Sequence, residues 1–211
     1  MPCIKIHWNN PGDGWVIWRI AETEQFFNSQ IPEIDTCPLE ITNDLKRLEW
    51  LCGRYLLKKL FEDAGQDYHG IFKNEQGKPF PIKSSYQISL TNSFPFVAAQ
   101  IHPNKSVGID LEKIRPKLNQ VAVRILSSDE LDDAGTDLRK LCVYWSAKES
   151  LLKISGKKSF IFSEELKIEP FEIKSDGTVR GSIRQHGLTN HFILNYMICL
   201  LYTSPSPRDV E

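Results

Sequence analysis

Residues 138–154 predict a helix that is apolar on two opposite sides, and this feature constrains the fold most strongly. The residues on one side of the helical wheel are Leu141, Cys142, Trp145, Glu149 and Leu152. The apolar residues on the opposite side are Val143, Ala147, Leu151 and Ile154. A helix that is apolar all round must be buried, so the rest of the chain has to pack around it. Glu149 therefore places a carboxylate in an apolar setting.

Composition and charge are those of an ordinary globular protein. The chain has 211 residues, of which 41% are hydrophobic and 25% charged. Because 26 Lys and Arg oppose 27 Asp and Glu, we expect no nucleic-acid or membrane partner. Five scattered cysteines fit neither a disulfide framework nor a zinc site. No signal-peptide pattern is present near the N-terminus. We expect a cytoplasmic monomer.

The first half of the chain predicts a hairpin, a helix and further strands. Alternating apolar residues on both sides of a turn at 9–14 predict the hairpin, and helical spacing over 42–61 predicts the helix. The stretch 63–85 is rich in glycine and proline and predicts loops. Residues 86–101 predict one or two strands, interrupted at Pro95.

The second half begins after a turn at 102–106, where we place a boundary between the first two domains, 1–105 and 106–198. Residues 107–112 predict a strand. The Ser127-x-x-Glu130 spacing is that of a capping box and predicts the start of a helix. After Gly156, the alternation of apolar residues predicts strands through Tyr202.

Two groups of basic residues could bind an anion. Arg47, Arg54 and Lys58 fall on one face of the helix predicted at 42–61, which fits an anion-binding stripe or a solvated helix face. Four lysines, Lys148, Lys153, Lys157 and Lys158, crowd the end of the later helix, where their charge suits a phosphate-rich ligand.

The carboxylates of Asp110 and Glu112 stand at i and i+2 of the predicted strand. Both would project from one face about 6–7 Å apart, a separation at which two oxygens can flank one divalent cation. A solvent-facing strand edge is the alternative. Glu149 needs a cation to offset its burial, and Lys153 at i+4 could supply one as an intrahelical ion pair.

These residues resemble a known family. The sequence VGIDLEK at 107–113, followed 32 residues later by WSAKESLLK at 145–153, is similar to the paired G-x-D-x-E and W-x-x-K-E-x-x-x-K signatures of Sfp-type 4′-phosphopantetheinyl transferases. GKP at 77–79 is similar to a further element of the family, and LEWLCGRYLL at 48–57 resembles its arginine-bearing helix. The resemblance covers roughly residues 42–175.

The resemblance implies an α+β fold of two similar subdomains related by a pseudo-twofold axis, each with a small antiparallel sheet and packed helices. It implies an enzyme of the holo-[acyl-carrier-protein] synthase type. Such enzymes move the 4′-phosphopantetheine arm of coenzyme A to a serine of an acyl or peptidyl carrier protein and release adenosine 3′,5′-bisphosphate. Domain 1–105 would bind the adenosine end, and domain 106–198 would bind metal and carry out catalysis.

The resemblance also implies roles for individual residues. Mg²⁺ would be held by Asp110, Glu112 and Glu149, and Lys153 would neutralise phosphate charge. The residues implied in coenzyme A binding are Arg54, Lys78, Pro79, Thr91 and Asn92. Glu149, directly or through a water, is the preferred general base. Lys153 is the weaker alternative, because beside carboxylates it should stay protonated.

One segment departs from the family pattern. The family's S-x-S-H-S corresponds here to SLTNS at 89–93, so Thr91 replaces a serine and Asn92 replaces the histidine. An amide can donate a hydrogen bond but carries no positive charge. Because charge-assisted contacts are roughly twice as strong as neutral ones, we expect weakened binding of coenzyme A with the fold retained.

Two alternatives stay open for the function. One is a non-catalytic module that binds coenzyme A or a carrier protein and has a degenerate active site. The other is a generic Mg²⁺-dependent nucleotide hydrolase, although the chain has no phosphate-binding loop of the Walker type.

The segments 113–124 and 199–211 lead to two further expectations. The segment 113–124 contains four basic residues and no acidic residue, so it could attract an acidic carrier protein or be a solvated loop and helix start.

The segment 199–211 contains CLLYTSPSPRD at 199–209, which looks like a translated sequencing adapter and would then be non-native. A final strand with an extended Ser-Pro tail is the alternative.

Overall fold

The computed structural model describes residues 3–157 and 160–198. The elements of the first half are β1 (Cys3–Asn10), β2 (Asp13–Arg19), α1 (Glu24–Gln30), a 3₁₀ turn (Glu33–Asp35), α2 (Asp44–Asp63), β3 (Ile71–Lys73), β4 (Pro79–Pro81), β5 (Gln87–Ser93) and β6 (Phe96–His102). The elements of the second half are α3 (Leu118–Ile125), α4 (Ser128–Ala134), α5 (Leu138–Ser155), α6 (Phe162–Glu165), β7 (Leu166–Ile168), β8 (Asp176–Gln185) and β9 (Leu188–Met197). The predicted α+β class is confirmed.

The first half consists of an antiparallel sheet covered by one long helix. The sheet has the strand order β1-β2-β6-β5, so β5 is an edge strand. Helix α2 begins where the Asn43 side chain accepts a hydrogen bond from the Lys46 amide. Its fully buried residues, including Leu56, Leu57 and Leu60, pack with Val16 and Ile101 of the sheet in one hydrophobic core.

The second half also packs a long helix on an antiparallel sheet, here of three strands. Helix α5 packs on the sheet β7-β8-β9, and a second core joins Tyr144 and Leu151 of the helix to Val179 and Ile183 of β8. The predicted capping box is confirmed: the Ser127 side chain accepts from the Glu130 amide, and the Glu130 side chain accepts from the Ser127 amide. Burial on both sides of α5 agrees with its two apolar faces.

The most informative difference concerns residues 107–112, which form no strand although the sequence predicts one. The amides of Ile109 and Leu111 donate to the side-chain oxygens of Ser89 and Thr91, at 3.1 and 3.3 Å. The segment therefore runs beside the edge strand β5 without joining its backbone ladder. Asp110 and Glu112 therefore do not share the face of a strand, contrary to the prediction.

Smaller differences concern the extent of elements. The stretch 63–85 is not loop throughout, because β3 and β4 pair within it. The short helix α6 precedes the β-type region that begins at β7.

Three cysteines with described side chains, Cys37, Cys52 and Cys142, are free and buried. In the described part of the chain, no helix has the length and apolar character that a membrane span requires. The tail 199–211 and Lys158 lie outside the described residues, so the predictions for them are not addressed by the fold.

Candidate functional site

A cavity of about 680 Å³ lies between the two halves of the chain. Its walls come from α2, the segment 71–79, strand β5 and the end of α5. Seven of the predicted site residues line it: Arg54, Lys78, Pro79, Thr91, Asn92, Glu149 and Lys153. Of the two remaining ones, Asp110 pairs with Lys153, and both Asp110 and Glu112 interact with Glu149 electrostatically.

The α2 wall carries a stacked cation. The Arg54 guanidinium lies 3.3 Å from the ring centroid of Trp50, one helical turn earlier. Both side chains have a buried nitrogen without a hydrogen-bond partner, Arg54 Nε and Trp50 Nε1. Burial lowers the pKa of Arg54. Two unpaired donors beside a cavity favour binding of an anionic or acceptor-rich ligand.

Lys78 connects the two halves across the cavity. Its Nζ donates to the Ile154 carbonyl near the end of α5, at 3.0 Å. Burial lowers the pKa of Lys78. Gly156 caps α5 with φ +70°, and a Cβ there would lie 2.8 Å from the Lys78 side chain, so the lysine passes directly over the helix end. Pro79 begins β4 and lines the same wall.

The segment 107–112 is held close to α5 as well as to β5. A Cβ on Gly108 would lie 2.1 Å from the Ser150 carbonyl oxygen, so only glycine allows this approach. The requirement for close backbone contact explains the glycine in the G-x-D-x-E pattern. Asp110 is thereby fixed between the edge of the first sheet and the long helix of the second half.

Asp110 is the centre of a partly completed network. Its Oδ1 accepts from Lys153 Nζ at 2.8 Å and from the Thr91 hydroxyl at 3.1 Å. Lys153 Nζ also donates to the Ile109 carbonyl at 2.8 Å. Lys153 thus pairs with Asp110 rather than forming the intrahelical pair with Glu149 that its i+4 spacing suggested. Asp110 Oδ2 is buried without a hydrogen-bond partner.

The two glutamates have raised pKa values. Burial raises the pKa of Glu149, and the negative charges of Asp110 and Glu112 raise it further against the effect of Lys153. Burial also raises the pKa of Glu112, while a hydrogen bond from the Trp145 side chain lowers it and Asp110 raises it. The three carboxylates therefore lie close enough to repel one another, which disfavours full ionisation without a nearby cation.

The residues fit a hard divalent cation, although they are not arranged as a finished cage. Within 3–157 and 160–198, no group of three or more His, Cys, Asp or Glu side chains is arranged to hold a metal ion. The unpaired oxygen of Asp110 and the mutual repulsion of three carboxylates are what such a cation would satisfy. Mg²⁺ keeps several waters and binds through a few carboxylates together with substrate phosphates.

The basic stripe on α2 is not assembled as the sequence suggested. The Arg47 guanidinium pairs with Glu24 of α1, and Lys58 Nζ donates to the Gln30 carbonyl. The reason is that α1 packs on this part of α2 and supplies acceptors. Of the three basic residues, Arg54 alone lines the cavity.

Lys148 is also turned away from the cavity, contrary to its assignment to a phosphate-binding cluster. Its ammonium is fully buried and donates to Glu130 Oε2 at 2.6 Å, within the core of the second half. Lys157 does line the cavity beside Lys153.

Strand β5 separates two residues that the sequence grouped together. Asn92 is exposed and lines the cavity, on the α2 side of the sheet with Leu90 and Ile88. Thr91 is buried, and its hydroxyl bonds to residues 110 and 111 on the other side.

Trp50 and Lys73 were missed by the sequence analysis. Both line the cavity, and Lys73 Nζ lies 5.5 Å from the Trp50 ring centroid. The i, i+4 spacing of Trp50 and Arg54 on α2 is the signal that could have identified Trp50.

Comparison with known proteins identifies similar sequences. A family model of the 4′-phosphopantetheinyl transferase superfamily matches residues 106–197. The 4′-phosphopantetheinyl transferase AcpT of Salmonella typhi is 29% identical over 135 residues, which cover 60% of this chain and 67% of the relative. The protein of the same name from Salmonella typhimurium is 28% identical with the same coverage. That from Escherichia coli O157:H7 is 29% identical over 119 residues, covering 53% of this chain and 59% of its own.

Proposed function

The chain belongs to the 4′-phosphopantetheinyl transferase superfamily, and we propose that it transfers the phosphopantetheine arm of coenzyme A to a serine of an apo acyl or peptidyl carrier protein. This would make it a transferase of the holo-[acyl-carrier-protein] synthase type that works in the cytoplasm. The observation that carries the proposal is the unpaired, buried Asp110 Oδ2 beside Lys153, Glu112 and Glu149, at the end of a cavity lined by cations.

The cavity suits a long anionic substrate. Arg54 and Trp50 offer unpaired donors at the α2 wall, and Lys78 offers an ammonium between the halves. We assign the adenosine and 3′-phosphate end to this wall, which belongs to the proposed domain 1–105. Asn92 can donate a neutral hydrogen bond to a phosphate oxygen, and Pro79 contributes apolar surface.

The reactive end lies at α5, in the proposed domain 106–198. Asp110, Glu112 and Glu149 would hold Mg²⁺, which when bound neutralises charge on the pyrophosphate oxygens. The Lys153 ammonium donates to Asp110 and to the Ile109 carbonyl, so it is held beside the carboxylates that would bind Mg²⁺. It would stabilise negative charge that develops on the phosphate oxygens.

The reaction requires one bond to form and one to break. The carrier serine oxygen bonds to the β-phosphorus of coenzyme A, and the bond from that phosphorus to the bridging oxygen breaks, releasing adenosine 3′,5′-bisphosphate. The serine proton goes to a Glu149 oxygen, directly or through a water. A carboxylate held beside the nucleophile can accept this proton as the new bond forms.

A carrier protein could dock on the surface formed by residues 113–124. Arg115, Lys117 and Arg124 are exposed there, and Val123 and Ile114 are 70% and 39% exposed. A basic surface with apolar centres favours an acidic partner that also presents apolar side chains. Reversing the charges of Lys117 and Arg124 should slow association most strongly at low salt; an unchanged on-rate would place docking elsewhere.

The transfer can be tested by intact mass of the carrier. The protein is incubated with coenzyme A, Mg²⁺ and an apo carrier, and we expect the carrier to gain one phosphopantetheine arm. EDTA or Glu149→Ala should abolish the gain, whereas Glu164→Ala at an exposed position should not. Binding of coenzyme A without any mass gain, across both acyl and peptidyl carriers, would contradict the proposal and favour a non-catalytic binding module.

A further inference from the structure

The Thr91 hydroxyl makes two hydrogen bonds, both to the segment 107–112. It accepts from the Leu111 amide at 3.3 Å and donates to Asp110 Oδ1 at 3.1 Å. Two residues earlier, the Ser89 hydroxyl accepts from the Ile109 amide at 3.1 Å. The period of two along β5 therefore presents both hydroxyls to alternate amides of the segment 107–112.

These bonds replace the backbone ladder that the segment lacks. A strand would be held by its neighbour's carbonyls, but here two side-chain oxygens hold the amides of Ile109 and Leu111. The segment has little room to shift toward α5, because even a Cβ on Gly108 would lie 2.1 Å from the Ser150 carbonyl oxygen. Side chains of β5 thus hold the segment, and of these two hydroxyls that of Thr91 also bonds to the Asp110 carboxylate itself.

The bond to Asp110 also distinguishes its two oxygens. Lys153 and Thr91 both donate to Oδ1, whereas Oδ2 is buried without a partner. A carboxylate held by two donors at one oxygen cannot rotate freely about its terminal torsion. The other oxygen then stays turned to one side, where a cation could bind it.

We propose that Thr91 is a positioning residue for Asp110, holding the carboxylate so that Oδ2 faces the cation; this rests on the metal role in the proposed function. Thr91 acts through Asp110 and Leu111 and does not bind coenzyme A through its hydroxyl. The coenzyme A contact that the family resemblance implied for Thr91 is thereby replaced, while Asn92, on the opposite face of β5, keeps its contact.

Three variants separate the parts of this role. Thr91→Val removes both hydrogen bonds with little change in shape. Thr91→Ser keeps the hydroxyl and should behave like the wild-type protein. Ser89→Ala is the matched control, because it removes a backbone tie of the same kind two residues away without touching the Asp110 carboxylate.

Hydrogen exchange of the metal-free protein tests the geometry alone. In Thr91→Val the Leu111 amide should exchange about tenfold faster, as expected for loss of one hydrogen bond, with Ile109 little changed. Ser89→Ala should show the reverse pattern. Unchanged exchange at Leu111 in Thr91→Val would overturn the proposal.

The Mg²⁺ dependence of transfer tests the consequence for the site. Thr91→Val should need about tenfold more Mg²⁺ for half-maximal rate, whereas the KM for coenzyme A at saturating Mg²⁺ should not change. Thr91→Ser and Ser89→Ala should need the wild-type concentration within about twofold.

If the wild-type protein does modify a carrier, two results of this assay would overturn the positioning role of Thr91. They are an unchanged Mg²⁺ requirement in Thr91→Val, and a raised KM for coenzyme A, which would indicate direct substrate contact. Failure of the wild-type protein to modify any carrier would instead contradict the proposed function, and the exchange pattern at Leu111 would still decide whether Thr91 holds the segment.

Discussion

Helix α5 carries two lysine–carboxylate pairs, five residues apart, that differ in how fully their atoms are bonded. Lys148 donates to Glu130 Oε2, to the Ile125 carbonyl and to the Phe162 carbonyl, at 2.6, 2.9 and 2.8 Å. The second oxygen of Glu130 accepts from the Ile168 amide. Every strong donor and acceptor of this pair is used, and the side chains are 0% and 1% exposed.

The pair of Lys153 and Asp110 is left incomplete. The Lys153 side chain is 26% exposed beside the cavity, and the Asp110 side chain is 6% exposed with one oxygen unpaired. An unpaired buried polar atom is costly, and the fold retains it here at the end of a cation-lined cavity. Charge and burial alone therefore do not distinguish a functional pair from a structural one. The unused bonding capacity does.

The complete pair should matter most for stability. Lys148→Met leaves Glu130 buried without its cation, so we expect a loss of about 3–5 kcal/mol in the free energy of unfolding. Urea denaturation followed by circular dichroism measures it, and Mg²⁺ should not restore the loss.

A second substitution serves as the control for this expectation. Adding Glu130→Gln to Lys148→Met removes the isolated charge, so the double variant should recover part of the stability. A single variant as stable as the wild-type protein would contradict the structural role of the pair.

The incomplete pair should matter most for the reaction. Lys153→Met removes a cation that stabilises phosphate charge, so the transfer rate should fall by about 10²–10³-fold. The free energy of unfolding should fall by only about 1–3 kcal/mol, because Thr91 still donates to Asp110. A loss of stability as large as that of Lys148→Met with transfer unaffected would reverse the comparison.

Glu149 should reduce stability when no metal is bound. Burial and the neighbouring carboxylates raise the pKa of Glu149 in the folded protein above its ordinary value of 4.5. The stability that the protonated side chain contributes is therefore fully present below pH 4.5 and is lost as the pH rises through the folded-state pKa. At neutral pH, Glu149→Gln should therefore raise Tm in EDTA by about 2–4 °C.

The same variant should lose the increase in Tm that Mg²⁺ gives the wild-type protein. Differential scanning calorimetry at several pH values measures both effects. A lower Tm for Glu149→Gln in EDTA at neutral pH would show that the carboxylate stabilises the fold through a bond absent from the described network.

The smallest effect is expected at the cavity wall. Asn92→His would allow a charge-assisted contact with a phosphate in place of a neutral one, so the affinity for coenzyme A should rise by about fivefold or less. Isothermal titration at pH 6, where an exposed histidine is largely protonated, gives the larger change. Equal affinity at pH 6 and pH 8 would mean that residue 92 does not meet a phosphate.

The two pairs also show which features of α5 could be predicted from the sequence. Helical periodicity was enough to identify α5 and the burial of its two faces, because many residues contribute to that pattern. It was not enough to separate Lys148 from Lys153, since both are lysines near one glutamate. The available signal was that Lys148 lies two helical turns after Leu141 and so shares its face, which is buried.

The segment 107–112 shows a second limit. Its alternation is genuine, but sequence pattern does not reveal whether a neighbouring strand offers carbonyls or side-chain oxygens to its amides. The partners Ser89 and Thr91 lie about twenty residues away in the chain. The family resemblance still indicates Asp110 and Glu112 as candidates, because it depends on residue identity at fixed spacing and not on local hydrogen bonding.

Binding of Mn²⁺ decides whether Asp110 holds the cation, and the electron paramagnetic resonance signal of the free ion, recorded in the presence of coenzyme A, measures it. The wild-type chain should take up one Mn²⁺, and Asp110→Asn should weaken this uptake by at least about tenfold, through loss of a carboxylate ligand. Equal uptake by the wild-type protein and Asp110→Asn would contradict the claim that the unpaired oxygen of Asp110 holds the cation.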